Sequence, residues 1–199
     1  MLKKSLPSCL SLKLVTCKIH KLFPKIAETL FEEYPAMEEP DDVWNVHTEK
    51  YSDGEIQTNV VVNGKIVHGD KFVIRILPDE CHAGNSFTSF LTYMDHPEIK
   101  QQKDRVISAM FRGIEIKVQI LFVIDNPGLM AHRVYLDLGW LDLESIESFF
   151  DGYDEVSLEL IDNDDFKASD YFDITKNTWS TTRLNEALDL AEMKCKEFR

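Results

Sequence analysis

The sequence predicts an α+β protein, a single domain in which a mainly antiparallel sheet is covered by helices on at least one face. Apolar residues make up 44% of the 199 residues, a content typical of a globular chain. Stretches with an apolar residue at every second position are interspersed with stretches of helical spacing, without regular βαβ order. No repeat or linker-like tract divides the chain. One domain over residues 1–199 is therefore expected, and the sequence leaves open whether residues 1–9 pack or stay mobile.

The N-terminal part of the chain is basic, with six lysines and no acid in its first 25 residues. A leucine at every second position over residues 10–14 predicts a first strand. Lys13 interrupts this apolar stretch and no small-residue cleavage motif follows it, which argues against a secretory signal. A helix over residues 24–34 and an acidic loop over residues 35–42 are predicted next.

A β-hairpin is predicted between residues 43 and 77. Apolar and threonine residues alternate with polar ones over residues 56–62, as in a strand with one buried face. Asn63-Gly64 has the composition of a tight type I′ turn, and residues 65–77 return as the partner strand.

Two short helices are predicted between this hairpin and residue 113. Phe87 and Phe90 belong to an apolar set with helical spacing that follows the capping residues 85 and 86. The apolar residues of 95–112 also share one helical face, and Gly113 is well placed to end that helix.

The strongest strand signal covers residues 114–125. Its second half is apolar on both faces, which predicts a position at the centre of the sheet. The elements predicted after it are a strand over 129–138, a helix over 142–150, a strand over 156–161 and a final helix, opened by Ser180 or Thr181, with Leu184, Ala187, Leu188, Ala191 and Cys195 on one stripe.

The four cysteines, Cys9, Cys17, Cys81 and Cys195, lie far apart and form no C-x-x-C pair. Zinc sites and disulfide frameworks favour denser, patterned spacing. Reduced, buried thiols and a cytoplasmic location are therefore expected. No apolar run approaches the roughly 20 residues needed to span a bilayer, so no membrane contact is expected.

Acidic residues dominate the charge of the chain, which is −13 in total with a pI near 4.8. Nucleic-acid binding is not expected, because it requires a basic face that displaces counterions from phosphates. Residues 137–173, here called the acidic block, hold thirteen acids against one lysine, with seven aromatic residues among them. Such a surface attracts a basic partner by charge and anchors it by rings. The partner-binding residues predicted from it are Trp140, Asp151, Tyr153, Asp154, Glu155, Asp162, Asp164 and Asp165.

These observations favour a non-catalytic protein that neutralises a basic partner such as a nuclease toxin. In size and charge the chain is similar to toxin-immunity proteins, a resemblance that transfers no residues. No short catalytic motif is present, so no catalytic residue, cofactor or resident metal is assigned. The oligomeric state is left open.

Two alternatives remain open. Glu115 and Lys117 share one face of a predicted strand, as in the E-x-K half of a metal-dependent phosphodiesterase site. Such a site also needs an aspartate on a neighbouring strand, and the nearest upstream candidate, Asp104, falls in a predicted helix. The second alternative is a chaperone or adaptor for a secreted effector, which an acidic α+β chain would also suit.

Overall fold

The computed structural model describes residues 43–52, 54–93 and 95–199. The predicted first strand, the helix over 24–34, the loop over 35–42 and the cysteines Cys9 and Cys17 lie outside the described residues. Those predictions therefore stay predictions.

The described part of the chain forms a nine-stranded half-barrel sheet in which every strand pairing is antiparallel. The strand order is β1-β2-β3-β4-β7-β6-β5-β8-β9. Two α-helices accompany the strands in this part, α1 (Leu143–Phe150) and α2 (Leu184–Lys196). The strands are β1 (Asn45–Lys50), β2 (Ile56–Asn63), β3 (Lys71–Ile76), β4 (Ala83–Tyr93), β5 (Val106–Phe111), β6 (Ile114–Asn126), β7 (Ala131–Asp142), β8 (Glu155–Leu160) and β9 (Lys176–Ser180).

The predicted α+β architecture, a sheet covered by helices, is wrong, because the two helices predicted before residue 113 are mostly strands. Residues 83–93 form β4, and residues 106–111 form β5 after a 3-10 segment at Pro97–Gln102. Phe87 packs with Val73 and Tyr135 on one face of the sheet, whereas Phe90 belongs to the main core on the other. A strand buried on both faces carries apolar residues at any spacing, so it can imitate a helix.

The predicted pairing of β2 with β3 is confirmed, but the predicted tight turn between them is wrong. The connection runs over residues 64–70. Asn177 of β9 accepts a hydrogen bond from the Ile66 amide at 3.0 Å, so the loop closes onto the far edge of the sheet. Gly64 is required there, since a Cβ would lie 2.3 Å from the Asn177 Nδ2 atom. The tight two-residue turn is Arg112-Gly113, between β5 and β6, with φ values of 52° and 77°.

Most of the elements predicted after residue 113 are confirmed. The strands β6, β7 and β8 and the helix α1 form close to their predicted bounds. The buried residues of α2 are the predicted stripe, although the helix begins after Arg183 rather than at a serine or threonine cap. The strand β9 was not predicted, because it is short and mostly polar.

The main core lies on one face of the sheet, here called the inner face, and both helices pack against it. Phe72 is its centre, with ring centroids 5.8 Å from Trp44, 5.8 Å from Phe150 and 5.6 Å from Trp179. The Trp44 indole also donates a hydrogen bond to the Ser180 carbonyl at 2.9 Å. These contacts join the two edge strands and α1 into one packed unit.

The prediction of reduced thiols is wrong for two of the cysteines, because Cys81 and Cys195 form a disulfide. It connects the turn before β4 to the last turn of α2 across 114 residues of sequence. Among the described residues, no helix is long and apolar enough to cross a membrane.

Asp70 is a buried carboxylate that should make stability depend on pH. Its side chain accepts hydrogen bonds from the Leu91 amide at 2.7 Å and from Asn177 Nδ2 at 2.8 Å. Burial raises the pKa of Asp70 from 3.8 to about 6. The folded state therefore binds this proton more tightly than the unfolded state, so the contribution of Asp70 to stability is largest below pH 4 and falls as the pH rises through about 6.

The comparison with Asp70→Asn isolates this effect, because asparagine does not titrate. Between pH 4 and pH 7 the free energy of unfolding of the wild type should fall by about 2 kcal/mol relative to that of the variant. Urea titrations at a series of pH values measure the difference. A difference that stays constant over this range would contradict the raised pKa.

Candidate functional site

The structure places the eight predicted partner-binding residues at three separate positions. Trp140 is partly buried near the end of β7. The residues from Asp151 to Glu155 are exposed in the turn between α1 and β8, and the three aspartates of residues 162–165 are exposed after β8. Glu155 is the first residue of β8, and the other five residues of the strand separate the two acidic sets by roughly 17 Å. The predicted residues therefore do not form one compact site.

Two of these residues already have partners within the protein. Tyr153 is 50% exposed, but the Arg112 guanidinium lies 3.6 Å from the centroid of its ring and 4.4 Å from that of Phe149. Glu155 forms an ion pair with Lys65 at 2.6 Å. Arg112 thus covers one face of the Tyr153 ring, and Lys65 partly neutralises Glu155, so neither residue is fully available to a partner protein.

The loop over residues 162–165 is held by its own hydrogen bonds. Asp162 accepts bonds from the Ser169 amide at 3.0 Å and the Ser169 hydroxyl at 2.7 Å, and these bonds lower the pKa of its carboxyl. Asn163 Oδ1 accepts the amides of Asp165 and Phe166, both at 2.9 Å. Asp162 therefore orders the loop, whereas Asp164 and Asp165 present their carboxylates to solvent.

The structure brings Glu115 and Lys117 together but adds no second carboxylate to them. Their side chains form an exposed ion pair at 3.3 Å, and Lys117 also donates to the Ser108 hydroxyl. Glu115 is paired with Met110, whereas Asp104 precedes the opposite end of β5. In residues 43–52, 54–93 and 95–199, no group of three or more His, Cys, Asp or Glu side chains is arranged to hold a metal ion.

A cavity of about 340 Å³ lies between α1 and α2, and acidic side chains surround it. Two leucines, one from each helix, give it an apolar part. We call this cavity the acidic cleft. Its lining residues are His82, Asp142, Leu143, Glu144, Glu147, Leu188, Asp189 and Glu192.

The acids of the cleft follow from the amphipathic pattern of each helix. In α1, Asp142 caps the first turn by accepting the Ser145 amide at 2.7 Å, and Glu144 and Glu147 are three residues apart, so they lie on neighbouring turns of one side. Asp189 and Glu192 have the same spacing in α2. Both pairs lie beside the buried stripe of their helix, so packing of the two helices on the sheet turns the pairs toward one cavity.

The carboxylates of the acidic cleft repel one another. Partial burial raises the pKa of Glu147, and the nearby charges of Asp189, Glu144 and Glu192 raise it further. Within the part of the chain that the structure describes, the one ion pair formed by an acid of the cleft joins Glu192 to Lys196 at 2.9 Å. The cleft thus holds more negative charge than the cations of the described residues neutralise.

Sequence reasoning identified only part of this site. The acids of α1 belong to the acidic block, but they were not among the predicted binding residues, and those of α2 lie outside the block. The available signal was the pair of acids three residues apart beside each apolar stripe. That the two helices face each other is a long-range property of the fold, which this local signal does not contain.

Comparison of the chain with protein-family models, with curated proteins and with solved structures found no match. Its function is therefore inferred from the geometry and charge of the cleft.

Proposed function

We propose that this protein is a non-catalytic binding protein for a basic protein partner, and that the acidic cleft receives cationic side chains of that partner. The observation that supports this function is the convergence of five carboxylates from two helices on one cavity. Lysine and arginine combine an apolar stem with a charged end. Leu143 and Leu188 suit the stem, and the surrounding carboxylates suit the charged end.

The spread of these carboxylates favours a cationic side chain over a metal ion. A bound Ca²⁺ needs several oxygen ligands at about 2.3–2.6 Å from one point. None of the described acids is grouped in that way. An ammonium or guanidinium group interacts favourably with carboxylates at longer and more varied distances, and more than one such group fits around the rim.

The raised pKa of Glu147 is consistent with this role. Burial and the neighbouring carboxylates both raise its pKa, because each makes a negative charge on Glu147 less favourable. A bound cation would offset that repulsion, so it should lower the pKa of Glu147. Affinity for the partner should accordingly rise as the pH increases through the pKa of Glu147.

The proposal does not extend to an immunity or inhibitor protein. Nothing in the fold or in the comparisons supports that narrower expectation. A cytoplasmic location stays a prediction, and the Cys81–Cys195 disulfide counts against it because structural disulfides are rare in reducing compartments.

Reversing two charges of the cleft should weaken binding of a fluorescently labelled oligolysine peptide. In Glu144→Lys/Asp189→Lys, one residue on each wall changes sign, and both residues are exposed, so the fold should be retained. Exposed ion pairs contribute about 0.2–1 kcal/mol each, so the expected loss of affinity is roughly tenfold. Fluorescence anisotropy at low salt measures it, and the difference should shrink at high salt.

The matched control is Asp164→Lys/Asp165→Lys. It changes the net charge by the same amount, but in the exposed loop after β8. Its effect on peptide affinity should be much smaller than that of the cleft variant. Equal weakening by the two variants would mean that the peptide responds to overall charge, and would overturn the assignment of binding to the cleft.

A further inference from the structure

We propose that the Cys81–Cys195 disulfide is a redox-sensitive lock that holds one wall of the acidic cleft in position, so that its reduction weakens binding of the basic partner. The binding part of this inference rests on the proposed function. The structural part, the release of the end of α2, does not.

The disulfide connects the two walls of the cleft through a single short segment. Cys81 is followed by His82, which lines the cleft and whose carbonyl accepts the Leu143 amide at 2.9 Å, at the start of α1. Cys195 lies in the last turn of α2, three residues after Glu192. The disulfide and this one hydrogen bond therefore connect the beginning of α1 to the end of α2.

The last turns of α2 depend on this bond more than the first turns do. Leu184, Ala187, Leu188 and Ala191 bury the first part of the helix, but beyond them Cys195 is the only buried residue of α2. The other hydrogen bonds from this end to the rest of the protein are two exposed ones from Arg199 to the carbonyls of residues 78 and 79, at 2.8 and 3.0 Å, and a long one from Lys194 to the Val46 carbonyl at 3.4 Å. Exposed bonds of this kind exchange readily with water, so they hold the helix end weakly.

Reduction would proceed by thiol–disulfide exchange with a dithiol. A thiolate of the dithiol attacks one cysteine sulfur, the protein S–S bond breaks, and the other cysteine leaves as a thiolate and takes up a proton. The second thiol of the reagent then attacks the mixed disulfide. The products are two cysteine thiols and one oxidised reagent, a transfer of two electrons to the protein.

Access to the bond connects this chemistry to the cleft. Cys81 and Cys195 are each 1% exposed, so a dithiol reaches them only when the last turn of α2 opens locally. A partner that bridges Glu192 and the acids of α1 would oppose this opening. Reduction increases the population in which this helix end is open, and a partner that binds only the closed arrangement is then bound less tightly.

The test uses the full chain with Cys9→Ser/Cys17→Ser, in which residues 81 and 195 are the only cysteines. Without reductant, an alkylating reagent should modify neither residue. With dithiothreitol and no denaturant, mass spectrometry should find both residues alkylated. Hydrogen exchange should then increase in residues 192–199 and stay unchanged in β8, and the Kd for the oligolysine peptide should rise roughly threefold to tenfold.

Several outcomes would overturn the lock. Alkylation without reductant would show that the disulfide does not form in the isolated protein. Reduction only after global unfolding would show that the bond cannot be exchanged in the folded protein. Increased hydrogen exchange at the end of α2 after reduction, together with an unchanged Kd for the peptide, would show that the bond does not control the cleft.

The failure of the proposed function has a different signature. The peptide would then bind neither the oxidised nor the reduced protein, while reduction still increased exchange at the end of α2. A Cys195→Ser variant gives a second measurement that needs no reductant. Its exchange pattern should match that of the reduced protein if the lock is correct, and match that of the oxidised protein if it is not.

Discussion

Replacing Trp179 by alanine should lower the free energy of unfolding by about 3–5 kcal/mol. Trp179 is completely buried although β9 is the edge strand of the sheet. Its ring lies edge-on to Phe72 at 5.6 Å and to Phe90 at 6.2 Å, so it attaches the edge strand to the centre of the core. Truncation removes these contacts and leaves a cavity that rigid neighbouring strands cannot fill.

Urea titrations followed by far-UV circular dichroism measure this loss. Trp140→Ala is the matched control, because it deletes the same side chain from a partly buried position near the end of β7. Its expected cost is clearly smaller. Equal costs for the two variants would contradict the central role of Trp179 in the core.

A Trp179→Phe variant separates packing from hydrogen bonding at the same position. Among the described residues, the buried Trp179 Nε1 has no hydrogen-bond partner. Phenylalanine retains most of the ring contacts and removes this unsatisfied donor, whose burial is itself unfavourable. The loss of stability should therefore be much smaller than for alanine.

The parts of the fold that could be predicted from the sequence are those in which apolar and polar residues alternate with a clear period. In α2 the polar residues mark the exposed face. In β2 polar residues alternate with apolar ones although Gln57 and Asn59 are buried, so a clear period still identifies the strand. β4 is buried on both faces, and its apolar spacing therefore carries no reliable period. β9 was missed for a further reason, since one of its inward residues is Asn177, whose burial depends on partners distant in sequence.

The candidate site shows the same limit. The acids of α1 and α2 could be placed on their helices from local spacing, because i and i+3 residues share a side. Their convergence depends on where each helix packs on the sheet, which is decided by strand order. The pairing of Cys81 with Cys195 likewise has no local signal, because 114 residues separate them and a register of nine strands brings them together.

Removing the Cys81–Cys195 disulfide should lower the free energy of unfolding by about 2–5 kcal/mol. In the chain-entropy model the disulfide lowers the entropy of the unfolded chain. For a closed loop of this length, that effect stabilises the folded state by at most about 5 kcal/mol. Relaxation of the native state after the bond is removed makes the net loss smaller. The measurement compares urea titrations of Cys81→Ala/Cys195→Ala with those of the wild type, with and without dithiothreitol.

The wild type in dithiothreitol should approach the stability of the alanine variant, whereas the variant itself should not respond to the reductant. A wild type that is equally stable with and without dithiothreitol would contradict the predicted contribution of the bond.

A large loss of global stability is compatible with a small local change in the folded protein, because the bond acts mainly on the unfolded chain. The strands, and the first part of α2 with its buried leucines, keep their packing when the bond is absent. The helix end beyond Ala191 then keeps only the burial of residue 195 and the hydrogen bonds of Lys194 and Arg199, so it is the part that should loosen, and it carries Glu192 of the cleft.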